Sequence, residues 1–203
     1  MALTNDCFQT LEEWAGAPHL SLTLLFTDIV DSTKIGIKLG DDTWIENLFV
    51  HFSCGRDISS QFDCYVVKSI GDSFMVAFRR STEAVLFGLE FSMATGIDYI
   101  GIRVGINSGD VQIRENDIYG LNVNYTSRVQ HSLEREGILV SNSVKKDFEK
   151  RFGSSSGVKF VPKIIELKSF GTENLWLAAT PDWRQAMLRQ RISRKRLLGE
   201  LSA

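Results

Sequence analysis

Two aspartates stand where apolar strands turn: Asp28 ends the run SLTLLFT, and Asp72 sits between VKSIG and SFMVAF. A carboxylate at a strand terminus faces the open space above a sheet edge, where a cation can reach it. Hard divalent ions such as Mg2+ take oxygen ligands, commonly one or two carboxylates together with phosphates. Two such ions can hold the attacking and leaving oxygens of an in-line displacement. Each aspartate alone also suits a plainer role, Asp28 as a helix cap and Asp72 as a turn residue. Spacing does not separate the two roles.

The elements that must position them follow from pattern. Residues 1–20 read as a short helix, with Phe8, Leu11 and Trp14 three apart, ending near Gly16 and Pro18. Ser21 to Thr27 reads as a strand, after which Asp31, Ser32 and Thr33 supply helix-start chemistry. Ile35, Leu39, Trp44, Leu48 and Phe52 then give an approximate one-face helical pattern. DCYVVKSI and SFMVAF flank Gly71 and Asp72 as a β-hairpin. Further along, the pattern predicts a helix over 81–96, a second hairpin around Ser108 and Gly109, a helix from Leu121 to Leu133, the strand GILVS, and a helix from Val144 to Phe152. The GSSSG run from Gly153 to Gly157 is the clearest loop. VKFVPKIIELK and NLWLAA read as late strands, and Pro181 opens a last, basic helix. Hairpins interrupt the alternation of strand and helix, so an α+β fold fits better than a doubly wound parallel sheet.

Four blocks occur in order: FTDIVDST, VKSIGDSFMVAF, RVGINSGDV and NDIYGLNVNYTSR. Together they resemble the class III adenylyl and guanylyl cyclase catalytic domain, over about residues 20 to 180. The resemblance implies a ferredoxin-like βαββαβ core with extra strands, working as a head-to-tail homodimer. It divides the chain into an N-terminal helical extension (1–20), a catalytic domain (21–180) and a basic C-terminal helix (181–203). Asp28 and Asp72 match the two metal-binding aspartates, with the Ile29 carbonyl as a further ligand, so that two Mg2+ or Mn2+ ions serve each active site. Asn124 and Arg128 match the pair that orients the ribose and stabilises charge on the transferred phosphoryl group. Four residues apart on a helix, they share one face, and Arg grips phosphate oxygens in a fork with permanent charge. Without the flanking blocks they would be an ordinary solvated face.

The resemblance also bears on substrate. Adenylyl cyclases of the family carry Lys at the position of Lys68 and Asp at that of Asp117, whereas guanylyl cyclases tend to have Glu and Cys. A Lys donates to the adenine ring and an Asp accepts from its exocyclic amine, so the pair points to ATP. Lys68 also suits an edge strand, where it would blunt sheet pairing. Lys168, in IIELKSFG, is a candidate triphosphate contact, although Ser169 replaces a usual Gly. Asp31 stands where the family usually has Gly; its carboxylate would repel the triphosphate or, the preferred reading, cap the next helix. A stand-alone cyclase of bacterial anti-phage signalling making cyclic UMP or cyclic CMP is the alternative. It would need a narrower pocket, for which Phe74, Tyr119 and Tyr125 are close in sequence. A cyclase-fold binding module without activity is the reading from another class; the presence of Asp28, Asp72, Asn124 and Arg128 weighs against it.

Composition narrows the setting. The 203 residues are 43% hydrophobic and 24% charged, ordinary for a globular domain, and the net charge of −2 gives no general pull toward nucleic acid or anionic membrane. No stretch approaches the roughly 18 apolar residues of a membrane span. The N-terminus carries Asp6, Glu12 and Glu13 where a secretory signal would be basic and then apolar. Cys7, Cys54 and Cys64 are odd in number and lack zinc spacing, which suggests a reducing cytoplasm and buried, inert thiols. No Gly-x4-Gly-Lys-Ser/Thr phosphate loop is present, and His19, His51 and His131 fall outside the four blocks. The basic tail, with Arg184, Arg189, Arg191, Arg194, Lys195 and Arg196 against Glu200, reads as a solvated helix packed on its own domain, dispensable for chemistry, with docking to an acidic partner or membrane as the competing role.

Overall fold

The central strand β1 (His19–Ile29) is apolar toward both sides, with Leu22, Leu24, Leu25 and Ile29 all buried. Such a strand needs a covered sheet on each face. In the computed structural model, which describes residues 10–201, β1 is flanked by β3 (Ser73–Phe78) and β4 (Ile102–Arg114), both antiparallel to it. Outside β3 lies β2 (Cys64–Ile70), and beyond β4 come β6 (Gly137–Val140), β8 (Gly171–Ala179) and β7 (Lys159–Leu167). The short β5 (Asp117–Tyr119) pairs with the far end of β4. The order β2-β3-β1-β4 places β3 between β1 and β2, and β1 between β3 and β4. That is the split βαβ arrangement of a ferredoxin-like core, as the sequence led us to expect.

One face is covered by α2 (Ser32–Leu39), α3 (Asp41–Ser59), α4 (Ser81–Met93), α6 (Asn142–Phe152) and α7 (Pro181–Leu197), which enclose the main core. Among the described residues, the other face carries only α1 (Leu11–Ala15) and α5 (Leu121–His131). There α1 seals Leu22, Leu24, Met75, Ala77, Val111 and Ile113, while α5 lies directly on β4. The approach is close enough that a Cβ on Gly105 would meet the Gln130 backbone nitrogen at 2.4 Å. Asn122 locks this seat, donating to Gly109 O at 3.2 Å and accepting from Asn107.

Three local expectations are corrected. Ser108 and Gly109 do not turn: β4 runs unbroken through them because its partner β1 pairs along its whole length, from His19 opposite Gln112 to Ile29 opposite Ile102. The hairpin comes later, at Glu115 and Asn116, both with positive φ. The single helical stretch after Asp31 is two helices, separated at Gly40 with φ +82°. The GSSSG loop contains a short 3-10 turn, Gly153–Ser156. Phe8 and Cys7 lie outside the described residues; Leu11 and Trp14 are buried in α1, which Gly16 ends in a left-handed conformation.

The last helix packs on its own domain, as expected, but its basic side is not simply solvated. Trp183 and Met187 enter the main core, and the buried Trp183 indole donates to Ser92 Oγ at 2.7 Å. Arg191 and Arg194 both pair with the buried Glu136. Cys54 and Cys64 are free and half-buried rather than fully enclosed; burial pushes the Cys64 thiol up to about 12, which keeps it protonated and unreactive. Among the described residues, no helix is long and apolar enough to cross a membrane.

Candidate active site

Alternation along β1 decides where Asp28 points. Leu22, Leu24 and Phe26 belong to the core beneath α1, so Asp28, two residues further on, faces the same, sparsely covered side. Its cross-strand neighbour in β4 is Arg103, whose guanidinium pairs with Asp28 Oδ2. Ser73, the first residue of β3, donates to Asp28 Oδ1 at 3.4 Å. Asp72 precedes it in the β2–β3 turn, which Gly71 makes possible with φ +60°. The Phe74 amide donates to Thr27 Oγ1 at 3.1 Å, fixing this turn against the end of β1. The structure therefore brings Asp28, Ile29 and Asp72 to one end of the β1–β3 pair.

Asp72 Oδ2 is buried and has no hydrogen-bond partner among the described residues. A buried carboxylate oxygen left unsatisfied is costly unless something cationic meets it. An orphaned acceptor beside a second carboxylate fits a divalent ion, and Arg103 is the positive charge such an ion would compete with at Asp28. Below lies His51, fully buried, stacked on Phe91 at 4.7 Å with Nδ1 3.2 Å from Thr95 O. Burial lowers its pKa to about 4, so the ring is neutral at pH 7.

Lys68 and Asp117 form the second group. Lys68 stands opposite Met75, across a β-bulge in β2, and so shares the face of the α1-side core. Its Nζ reaches Asp117 Oδ2 at 2.5 Å, joining β2 to β5 across the sheet. Two residues 49 positions apart are thus held in one half-buried pair. The third group is on α5, where Asn122, Thr126, Val129 and Gln130 face the sheet. Asn124 and Arg128 lie on the opposite, exposed side. Lys168 is exposed in the β7–β8 turn, next to Ser169 with φ +72°. That turn is held beside α5 by the edge-on contact of Phe170 with Tyr125, centroids 5.1 Å apart.

Three aromatics were expected to be available for narrowing a base pocket. Phe74 is not: it is fully buried in the main core against Phe52 and Phe91, on the far side of the sheet from Lys68. Tyr125 is turned onto Phe170, and burial beside Glu173 raises its hydroxyl pKa. Tyr119 alone remains exposed near Asp117. Asp31 does not cap α2; it occupies the N-cap position in a left-handed conformation with no side-chain capping bond, because Lys34 and Arg194 draw its carboxylate away. Arg103 and Asn122 escaped the sequence reading. Arg103 had a signal, a charge between Ile102 and Val104 in the apolar first half of β4.

A fold built this way, with carboxylates at one end of β1–β3 and a polar helix face on the open side, is that of nucleotide cyclases. The chain matches the family model of the adenylate and guanylate cyclase catalytic domain over residues 16–168 and belongs to that family. Among solved structures it is similar to the guanylate cyclase domain of RhGC from Catenaria anguillulae in complex with GTP, at 22% identity and TM-score 0.68, covering 81% of this chain and 99% of that one. It is equally similar to the adenylyl cyclase CyaB from P. aeruginosa, at 21% identity and TM-score 0.68, covering 79% and 94%. Among curated relatives, an adenylate cyclase of Streptomyces griseus is 26% identical over 124 residues, 60% of this chain and 31% of that protein. Uncharacterised mycobacterial proteins are 28% identical over 114 residues, 56% of this chain. The match spans only 40% of the length of those mycobacterial relatives.

Proposed function

We propose that the chain is a nucleotide cyclase that converts a nucleoside triphosphate, ATP by preference, into its 3′,5′-cyclic monophosphate and pyrophosphate. The observation that carries this reading is the buried, unpartnered carboxylate oxygen of Asp72 beside Asp28, within a chain of the cyclase family. Two Mg2+ or Mn2+ ions held by Asp28, Asp72 and the Ile29 carbonyl would supply Lewis-acid polarisation of the triphosphate and a lower pKa for the ribose 3′-hydroxyl. The 3′-oxygen forms a bond to the α-phosphorus as the bond to pyrophosphate breaks, and the hydroxyl proton leaves to solvent. Arg128 would meet the negative charge that grows on the phosphoryl oxygens, and Asn124, one helical turn away, would orient the ribose.

The preference for ATP rests on Lys68 and Asp117, a donor and an acceptor held together on one surface. Adenine offers the complementary ring acceptor and amino donor. A homodimer is supported by the exposure of Asn124 and Arg128 on α5, since one copy holds them toward solvent. In the head-to-tail pair the aspartates of one subunit and the α5 residues of the other would form each site. Lys168 would add a contact to the triphosphate from the same side as α5. The test is incubation of purified protein and Mn2+ with each of the four ribonucleotides separately, products being identified by mass. Cyclic AMP and pyrophosphate in excess of other products are expected. Absence of every cyclic product would overturn the reading, and preference for UTP or CTP would overturn its adenine part.

A further inference from the structure

Asp31 lies two residues beyond Ile29, in the turn that links β1 to α2. It follows the proposed metal ligands Asp28 and Ile29 by three and two residues, and a carboxylate freed in that turn would repel a triphosphate bound beside them. The surroundings of Asp31 show how its charge is balanced. Lys34 Nζ lies 2.9 Å from Asp31 Oδ1, but that lysine is 62% exposed, so its effect is weakened by solvent. The other partner is of a different kind. Arg194, in the last turns of α7, places Nε 3.4 Å from Asp31 Oδ2, and its side chain is only 4% exposed.

The same guanidinium is held from two further directions. Nη2 donates to Glu136 Oε2 at 2.8 Å, and Glu136 itself is wholly buried and also takes Arg191. Nη1 points to Tyr99 O at 3.5 Å. Gly101 leaves the room, since a Cβ there would sit 2.7 Å from Nη1. Gly101 also accepts the Val30 amide at 2.9 Å, so the backbone beside Arg194 anchors the β1–α2 turn from the other side. Five donors in a planar fork can make these contacts at once; a lysine cannot.

We infer that Arg194 is a positioning residue for the nucleotide: it holds Asp31 away from the triphosphate, balances its charge, and so ties the C-terminal helix to the turn after the metal aspartate. The inference rests on the cyclase reading for its effect on substrate, though not for its effect on the turn. With Arg194→Met, KM for the nucleotide should rise roughly three- to tenfold through the released like charge, with kcat changed far less. Asp31→Asn in the same background should bring KM back close to wild type, because a neutral side chain needs no counter-charge. Hydrogen exchange of the peptide spanning residues 29–36, measured without nucleotide or metal, should be faster in Arg194→Met.

Arg194→Lys provides a second variant that keeps a charge for Glu136; it should show the same KM rise in weaker form. Unchanged KM in both variants, or a rise that Asp31→Asn does not correct, would overturn the charge-balancing role. Unchanged exchange over 29–36 would overturn the restraint. Should the wild-type protein make no cyclic nucleotide, the cyclase reading falls, while the exchange measurement still decides whether Arg194 holds the turn.

Discussion

Arg103 gives Asp28 a cationic partner of its own, whereas Asp72 has an oxygen with none among the described residues. The two aspartates should therefore behave alike in activity and differently in stability. Asp28→Asn and Asp72→Asn are both expected to abolish turnover, since the negative charge that would hold a divalent ion goes with either carboxylate. Asp28→Asn should also lower the melting temperature by leaving Arg103 half-buried without its counter-charge. Asp72→Asn should leave it unchanged or raise it, because a buried unsatisfied charge is removed. Parallel turnover and thermal-melting measurements check both; wild-type activity in either variant would remove the metal assignment. On α5, Arg128→Ala should lower kcat by roughly 10²–10³, as for loss of one transition-state charge stabiliser. Steady-state kinetics should show little change in KM, and a pure KM effect would move Arg128 to ground-state binding. The Lys68–Asp117 contact sharpens the base prediction. Lys68→Glu alone would set two carboxylates against each other, so it should impair ATP use more than the double change Lys68→Glu with Asp117→Cys. The double variant should turn toward GTP, and competition between the two nucleotides in one assay reads this directly.

At the scale of elements, α7 carries more than its sequence suggests. Read as letters, its arginines look like a solvated surface and its removal looks harmless. In the structure Trp183 and Met187 fill the main core, and Arg191 and Arg194 neutralise the buried Glu136. Truncation after Asp182 is therefore expected to yield an unstable or insoluble chain, since an uncompensated buried charge alone costs about 3–5 kcal/mol. A truncated protein that melts within a degree or two of full length would contradict this packing. The contrast shows what the sequence makes legible. Strands with plain turn chemistry, such as the β2–β3 hairpin at Gly71 and Asp72, could be placed because local residues determine them. Ser108 and Gly109 misled because a turn signal is weaker than eleven registered pairs with β1, which only the folded sheet reveals. The real turn at Glu115 and Asn116 lacks glycine, and the Asn116 signal is weaker than that of Ser108 and Gly109. The aspartates, Lys68 with Asp117, and Asn124 with Arg128 could be named from ordered blocks. Asn122, the pairing of Arg103 with Asp28 and the Arg194 contacts depend on meetings of distant segments, which no local pattern encodes.

The whole molecule is unequal on its two sides. Among the described residues, five helices cover one face of the sheet and two cover the other, where Asp28, Lys68 and Asp117 are found. Asn124 and Arg128 look outward from α5 on that same side. This arrangement suits a molecule that completes its site with a second copy, each subunit giving its aspartates to one site and its α5 residues to the other. The most direct measurement mixes two inactive proteins, Asp72→Asn and Arg128→Ala, under conditions where subunit exchange is demonstrated. A mixed dimer would contain one site with both lesions and one with neither. The account predicts that cyclic nucleotide synthesis returns, approaching half the wild-type rate per mixed dimer. Wild-type protein that is active, together with exchanged mixtures that stay silent, would contradict it.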